Sequence, residues 1–152
     1  MTAAANVPSL SQRLSSRDAT VGVLGLGYVG LPLAISFAEV GYQVVGFDVS
    51  DAVVATLNSG SSHIDDVTPS RVGPLVAKNS FRATAIVHDL SRCDVVFICV
   101  PTPFDKEKTP DLSFVESATR SVAKVLRKGM LVVLQSTTYP GTTTEVVRPI
   151  LE

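Results

Sequence analysis

Three glycines and one acid are the residues of this chain whose types and spacing point most directly to chemistry. Gly25, Gly27 and Gly30 stand as G-x-G-x-x-G directly after the apolar run Val21 to Leu24, and Asp48 closes a second apolar run 18 residues after Gly30. A glycine at position 25 can take the positive φ of a tight turn. Gly27, lacking a Cβ, lets a pyrophosphate come close to the backbone, and Gly30 lets the following helix lie close on its strand. The first N–H groups of that helix, near Tyr28 and Val29, have no intrahelical acceptor and sit at the positive end of the helix dipole, so an anion is stabilised there. With Leu26 they complete the turn that would contact the ligand. An acid about 20 residues further on is placed to accept the hydroxyls of a ribose, and its charge repels a 2′-phosphate. The chemistry implied is the binding of NAD in preference to NADP.

The other reactive side chains say less. Cys93 and Cys99 give neither a disulfide framework nor a zinc spacing. Cys99 lies within an apolar run, where a small buried thiol is expected. Cys93 precedes Asp94 and lacks the electropositive neighbourhood that activates a thiolate. His63, Asp65 and Asp66 share a polar segment in which the remaining ligands of a metal site are not evident, so no metal is expected.

These residues need a frame, and the chain supplies alternating strand and helix signals. Strands are expected at Thr20 to Leu24, Gln43 to Asp48, Phe81 to Ala85, Asp94 to Val100 and Met130 to Gln135. The run DVVFICV (Asp94 to Val100) is continuously apolar, as suits a parallel strand covered on both faces. A helix from Tyr28 to Val40 stops at Gly41. A short helix capped by Ser50 or Asp51 carries Val53, Val54 and Leu57, and another, Ser70 to Lys78, is expected to kink or break at Gly73-Pro74. Asp89 and Ser91 begin a helical turn. Asp105 to Pro110 reads as a charged loop. Ser113 with Glu116 reads as a capping box for a helix whose apolar face is Phe114, Ala118, Val122 and Val125. Thr142 with Glu145 reads as a second box, for a helix running to Glu152. Right-handed crossovers make this an α/β fold: a Rossmann-type doubly wound parallel sheet of about five strands in the order 3-2-1-4-5. Ligands of such sheets bind beyond the carboxyl ends of the strands, which places Gly25–Gly30, Asp48–Ser50, Val100–Pro103 and Ser136–Gly141 around one crevice.

Composition narrows the function. The chain has 152 residues, 45% of them hydrophobic, with a formal net charge of −1. That suits one domain with a proper core, and offers no basic field for nucleic acid or an anionic membrane. No apolar run reaches membrane-spanning length, and the first 19 residues lack the apolar centre of a signal peptide. Residues 1–19 are expected to be a polar, mobile leader, 20–152 the NAD-binding domain, and the location cytoplasmic.

At its four crevice loops the chain resembles the nucleotide-sugar 6-dehydrogenases. The matching pieces are GLGYVGLPLA (Gly25 to Ala34), Phe47-Asp48, VPTP (Val100 to Pro103), PDLSFV (Pro110 to Val115) and STTYPGTT (Ser136 to Thr143), in the family's order. PDLSFV and STTYPGTT look more like the UDP-N-acetylhexosamine branch than the UDP-glucose branch. The resemblance implies oxidation of the C6 alcohol of a UDP-sugar to a carboxylate in two NAD-dependent steps, through a thiohemiacetal and a thioester on a cysteine. That cysteine, with its lysine and asparagine, falls in regions beyond those matched here, as do the elements through which relatives form homodimers. The resemblance further implies that Thr137 helps hold a water near nicotinamide and substrate, and that Val100, Pro101, Thr102 and Ser136 contact the cofactor. Read locally, Ser136, Thr137 and Thr102 could equally do no more than end their strands and bond the backbone. Where many relatives carry an arginine over the adenine, this chain has Val53. Two rivals stand beside this reading: a non-catalytic NAD-binding module, and a dehydrogenase of the hydroxyacyl or phosphogluconate type, against which VPTP and STTYPG argue.

Overall fold

Runs of four or five residues rich in valine, leucine and isoleucine form the strands, because branched side chains fit a pleated surface packed on both sides. The computed structural model describes residues 8–103 and 110–152. Its elements are α1 (Leu10–Ser16), β1 (Thr20–Leu24), α2 (Gly30–Glu39), β2 (Gln43–Phe47), α3 (Asp51–Asn58), α4 (Pro69–Ala77), β3 (Phe81–Thr84), a 3₁₀ turn (Val87–Arg92), β4 (Val95–Ile98), α5 (Ser113–Ala123), β5 (Leu131–Leu134), a π turn (Thr143–Val147) and α6 (Arg148–Leu151). The five strands form one sheet in the order β3-β2-β1-β4-β5, every pair parallel. This is the doubly wound arrangement expected from the alternating pattern.

Each face of the sheet carries its own core. On one, Val21, Val23 and Val44 meet Leu31, Ile35, Leu57, Val72 and Phe81, beneath α2, α3 and α4. On the other, Leu24, Phe47, Val96 and Ile98 meet Leu90, Ala118, Val122 and Val125, beneath the 3₁₀ turn and α5. The two outer edges are treated differently. The Asn58 amide donates to the Ala83 carbonyl at 2.9 Å and accepts the Ala83 N–H at 2.9 Å, so this one side chain bonds β3 as a neighbouring strand would. Strand β5 ends the sheet with the uncharged run Leu131–Leu134, each residue partly exposed.

Four expectations are corrected. Residues 1–7 lie outside the described residues, but 10–16 form α1 rather than a mobile leader. Ser9 and Gln12 make a capping box: Ser9 Oγ accepts the Gln12 N–H at 3.2 Å and Gln12 Oε1 the Ser9 N–H at 2.8 Å. A helix of seven residues is too short to persist alone. It is anchored by the Arg13–Asp94 ion pair at 2.7 Å and by the Tyr42 hydroxyl, which donates to the Leu14 carbonyl at 2.8 Å.

The Ser113–Glu116 box does not form. Ser113 is already inside α5, and the Asp111 carboxylate accepts its N–H at 2.9 Å. The Ser113 N–H, then its hydroxyl, hold the Asp111 carboxyl below its ordinary range. Glu116 pairs with Arg120 one turn on, at 3.1 Å. The buried face is Val115, Ala118, Thr119 and Val122, so Phe114 falls off it and is 48% exposed. The Thr142–Glu145 box is absent too, since Thr142 has helical angles and its hydroxyl donates to the Tyr139 carbonyl at 2.9 Å. Finally, α4 runs unbroken through Gly73-Pro74. The charged segment 105–109 lies outside the described residues.

Candidate functional site

The glycine turn is fixed by what surrounds it. Gly25 has φ +96°, and a Cβ there would meet the Cys99 carbonyl oxygen at 2.5 Å. A Cβ on Gly30 would overlap the Gly25 carbonyl oxygen. Both glycines are thus required by the protein's own packing. Gly27 differs: a Cβ there meets nothing within 4 Å. The space in front of Gly27 is open, and the Gly27, Tyr28 and Val29 N–H groups have no backbone acceptor among the described residues. Tyr28 and Val29 are 74% and 58% exposed. Leu26 holds the turn down, because its fully buried side chain lies across Gly46 of β2, where a Cβ would come within 2.8 Å of it.

Asp48 follows β2 and turns its carboxylate to the glycine turn. Its two oxygens accept the N–H groups of Leu26, at 3.0 Å, and Ser50, at 2.9 Å. The Leu26 N–H is therefore committed to Asp48 and is not free for a ligand. Each carboxylate oxygen keeps lone pairs for further donors, so the acid is held at a fixed angle while it can still accept hydroxyls.

The loops after β4 and β5 complete the site. Thr102 Oγ1 donates to the Thr137 carbonyl at 2.6 Å. Ser136 Oγ donates to the Val100 carbonyl at 2.8 Å and lies 3.4 Å from that of Ile98. These two hydroxyl protons serve the backbone. The Thr137 side chain is exposed.

All four loops border one cleft of about 590 Å³ at the carboxyl ends of the strands. Of the residues expected there, Gly25, Leu26, Gly27, Tyr28, Val29, Asp48, Val100, Pro101, Thr102, Ser136 and Thr137 line it; Gly30 does not. Gly30 belongs to the packing beneath the turn. The cleft also takes in Phe47, Val49, Cys99 and Gln135, and along α5 Phe114, Ser117, Ala118 and Ser121. The α5 residues follow a helical spacing, and the displaced Phe114 is their first member. Val53 packs on the core below α3 and does not reach the cleft.

Neither thiol is prepared for attack. Cys93 is fully buried, and burial, reinforced by the Asp94 carboxylate, pushes it up to about 12. Cys99 borders the cleft at 7% exposure and burial pushes it up to about 11. Among the described residues no three His, Cys, Asp or Glu side chains gather as a metal site.

The pattern shared by these loops also defines a known group of proteins. Residues 19–152 match the model of the UDP-glucose/GDP-mannose dehydrogenase family, NAD binding domain. The chain belongs to that family. It is 43% identical over 129 residues to UDP-N-acetyl-D-mannosamine dehydrogenase of Pyrococcus horikoshii, a match covering 84% of this chain and 31% of the relative. It is 42% identical to UDP-N-acetyl-D-glucosamine 6-dehydrogenase of Pseudomonas aeruginosa, over 90% of this chain and 31% of the relative. The solved structure of the Pyrococcus enzyme superposes with a TM-score of 0.81 over 86% of this chain and 31% of its own. The chain spans about a third of the length of the dehydrogenases it matches. What it carries is the family's NAD-binding domain. The site fits that cofactor: the open space at Gly27 and the N–H groups beside it suit a pyrophosphate, and the Asp48 carboxylate suits a ribose diol.

Proposed function

We propose that residues 20–152 are the cofactor-holding part of a UDP-sugar 6-dehydrogenase whose substrate is a UDP-N-acetylhexosamine. The supporting observation is the cleft, where the open face of Gly27 stands beside the fixed Asp48 carboxylate. The sugar class rests on the similarity to dehydrogenases of UDP-N-acetyl-D-mannosamine and UDP-N-acetyl-D-glucosamine.

NAD, when bound, supplies the electron-pair acceptor for oxidation at C6. The residues of this chain bind and orient. Gly27, Tyr28 and Val29 receive the pyrophosphate, and Asp48 accepts the ribose hydroxyls and excludes a 2′-phosphate. Thr137 is the one residue given a catalytic part, holding a water at the mouth of the cleft. The thiol that traps the aldehyde, and the surfaces that form a homodimer, belong to parts of such an enzyme that residues 20–152 do not include. The setting of this chemistry is the cytoplasm.

Calorimetric titration tests the cofactor assignment: NAD should bind and NADP should bind at least tenfold more weakly. A chimaera tests the rest. Residues 20–152 would replace the corresponding domain of the Pseudomonas aeruginosa enzyme, with NADH followed on addition of UDP-N-acetyl-D-glucosamine. Turnover that disappears with Thr137→Val supports the assignment. A folded, NAD-binding chimaera without turnover counts against it.

A further inference from the structure

Among the described residues, no main-chain bond ties the loop after β4 to the loop after β5 beyond the end of their ladder. The ladder between these strands ends where the Gln135 and Ser136 N–H groups both reach the Ile98 carbonyl, at 2.9 and 3.2 Å. Beyond that point Pro101 and Pro103 have no N–H to donate. Two hydroxyls take over, and they cross. Thr102, on the β4 loop, donates to the Thr137 carbonyl of the β5 loop at 2.6 Å, and Ser136, on the β5 loop, donates to the Val100 carbonyl of the β4 loop at 2.8 Å.

We propose that Thr102 and Ser136 are positioning residues: their crossed hydrogen bonds clasp the two loops and so fix Thr137 against the half of the cleft that takes the nicotinamide. The proposal rests on the reading of the cleft as an NAD site. In a doubly wound sheet one nucleotide half lies over β1 and β2 and the other crosses the switch point toward β4 and β5. The glycine turn and Asp48 serve the first half; the clasped loops border the second. A hydroxyl has one proton. In both residues it is used within the protein, so neither hydroxyl is left to donate to a ligand, and removing that proton acts on the geometry of the loops. Thr137, held by its own carbonyl, keeps its side chain exposed at the cleft.

The test separates the two halves of the ligand. The 152-residue chain is titrated with NAD and with ADP-ribose, which lacks only the nicotinamide, as wild type, Thr102→Val, Thr102→Ser and Ser136→Ala. Wild type should prefer NAD. Thr102→Val keeps the side-chain shape and removes the donor; NAD affinity should fall about three- to tenfold, the worth of one neutral hydrogen bond, with ADP-ribose affinity unchanged within about twofold. Ser136→Ala should do the same, and provides the measurement if the valine variant does not fold. Thr102→Ser should restore the wild-type preference. Equal losses for both ligands would mean a general structural role and would overturn the proposal, as would no loss for either, or wild-type affinities that do not distinguish them. A wild type that binds neither ligand overturns the cleft reading itself, a result distinct from a normal wild type with indifferent variants.

Discussion

The Asp48 carboxylate accepts the Leu26 N–H at 3.0 Å, so the acid after the second strand and the turn after the first are one unit. Asp48→Ala removes both the ribose acceptor and the tie to the turn. NAD binding should weaken by about 1.5–3 kcal/mol, the worth of hydrogen bonds to a charged group. Calorimetry on the two proteins reads this directly, and equal affinities would remove Asp48 from the site.

Two of the glycines, Gly27 and Gly30, should separate cleanly. Gly27→Val should leave a folded domain, since space is open there, and should abolish NAD binding, because the branched side chain fills the pyrophosphate's position. Gly30→Ala should fail earlier, in folding, because its Cβ overlaps the Gly25 carbonyl oxygen. Circular dichroism melts with NAD titrations distinguish the two. A Gly27→Val protein binding at wild-type strength would displace the phosphate from this turn.

At the opposite end of the sheet, Asp94 accepts from Arg127 at 2.6 Å, Arg13 at 2.7 Å and the Thr20 N–H at 3.0 Å. Burial opposes its ionisation, but the Thr20 N–H and the two arginines outweigh burial and hold its carboxyl below the ordinary range. A depressed carboxyl stabilises the fold fully above its unfolded pKa, near 3.9, and loses that contribution as pH falls through its lower folded pKa. Asp94→Ala should therefore cost about 3 kcal/mol at neutral pH, the lower end for breaking a buried pair because Arg127 stays partly in water. The melting temperature should fall by about 6–12 °C. The gap between variant and wild type should begin to narrow near about pH 4 and close only below the folded pKa of Asp94, and melts between pH 2 and 7 show whether it does.

Much of this was legible beforehand, and the failures have identifiable causes. The strand order follows from alternation and right-handed crossovers, and the roles of Gly25 and Gly27 follow from backbone sterics alone. The packing role of Gly30 beneath its helix was legible too, and the position of the Gly25 carbonyl bears it out; what the motif did not separate is that Gly30, unlike Gly27, does not border the cleft. The α5 cap was misread because Ser113 and Asp111 both suit a helix start, and the choice between them moves the buried face from Phe114 to Val115. Helix α1 was missed although Ser9 and Gln12 carry a capping signature, because its anchor, Asp94, lies 81 residues from Arg13 in sequence. The use of the Thr102 and Ser136 hydroxyls depends on which carbonyl each meets across two loops, which no local pattern encodes.

Binding and turnover should part company in this chain. Oxidising an alcohol to a carboxylate through a thioester needs a base to take the hydroxyl proton and a thiolate to trap the aldehyde. Among the described residues no His or Lys lines the cleft, and burial pushes the Cys93 and Cys99 thiols up to about 12 and about 11, away from the thiolate. The 152-residue protein should bind NAD yet form no NADH with UDP-N-acetylglucosamine or UDP-glucose over hours. Steady formation at even ~0.01 per second, far below the usual enzyme range, would place a base or a nucleophile within these residues, and Cys93→Ser would be the first variant to make.

The Asn58 amide on the outer edge of β3 has a consequence for assembly. Its bonds to both polar groups of Ala83 occupy that flank, leaving the uncharged β5 edge as the flank of the described sheet without such a cover. A sheet with one free flank can join edge to edge only with a twin, and growth stops at two; a sheet with two can add copies without limit. Asn58 thus removes Ala83 from edge pairing on the β3 flank. Asn58→Ala should bare both groups of Ala83 and raise the tendency of this flank to pair with another copy.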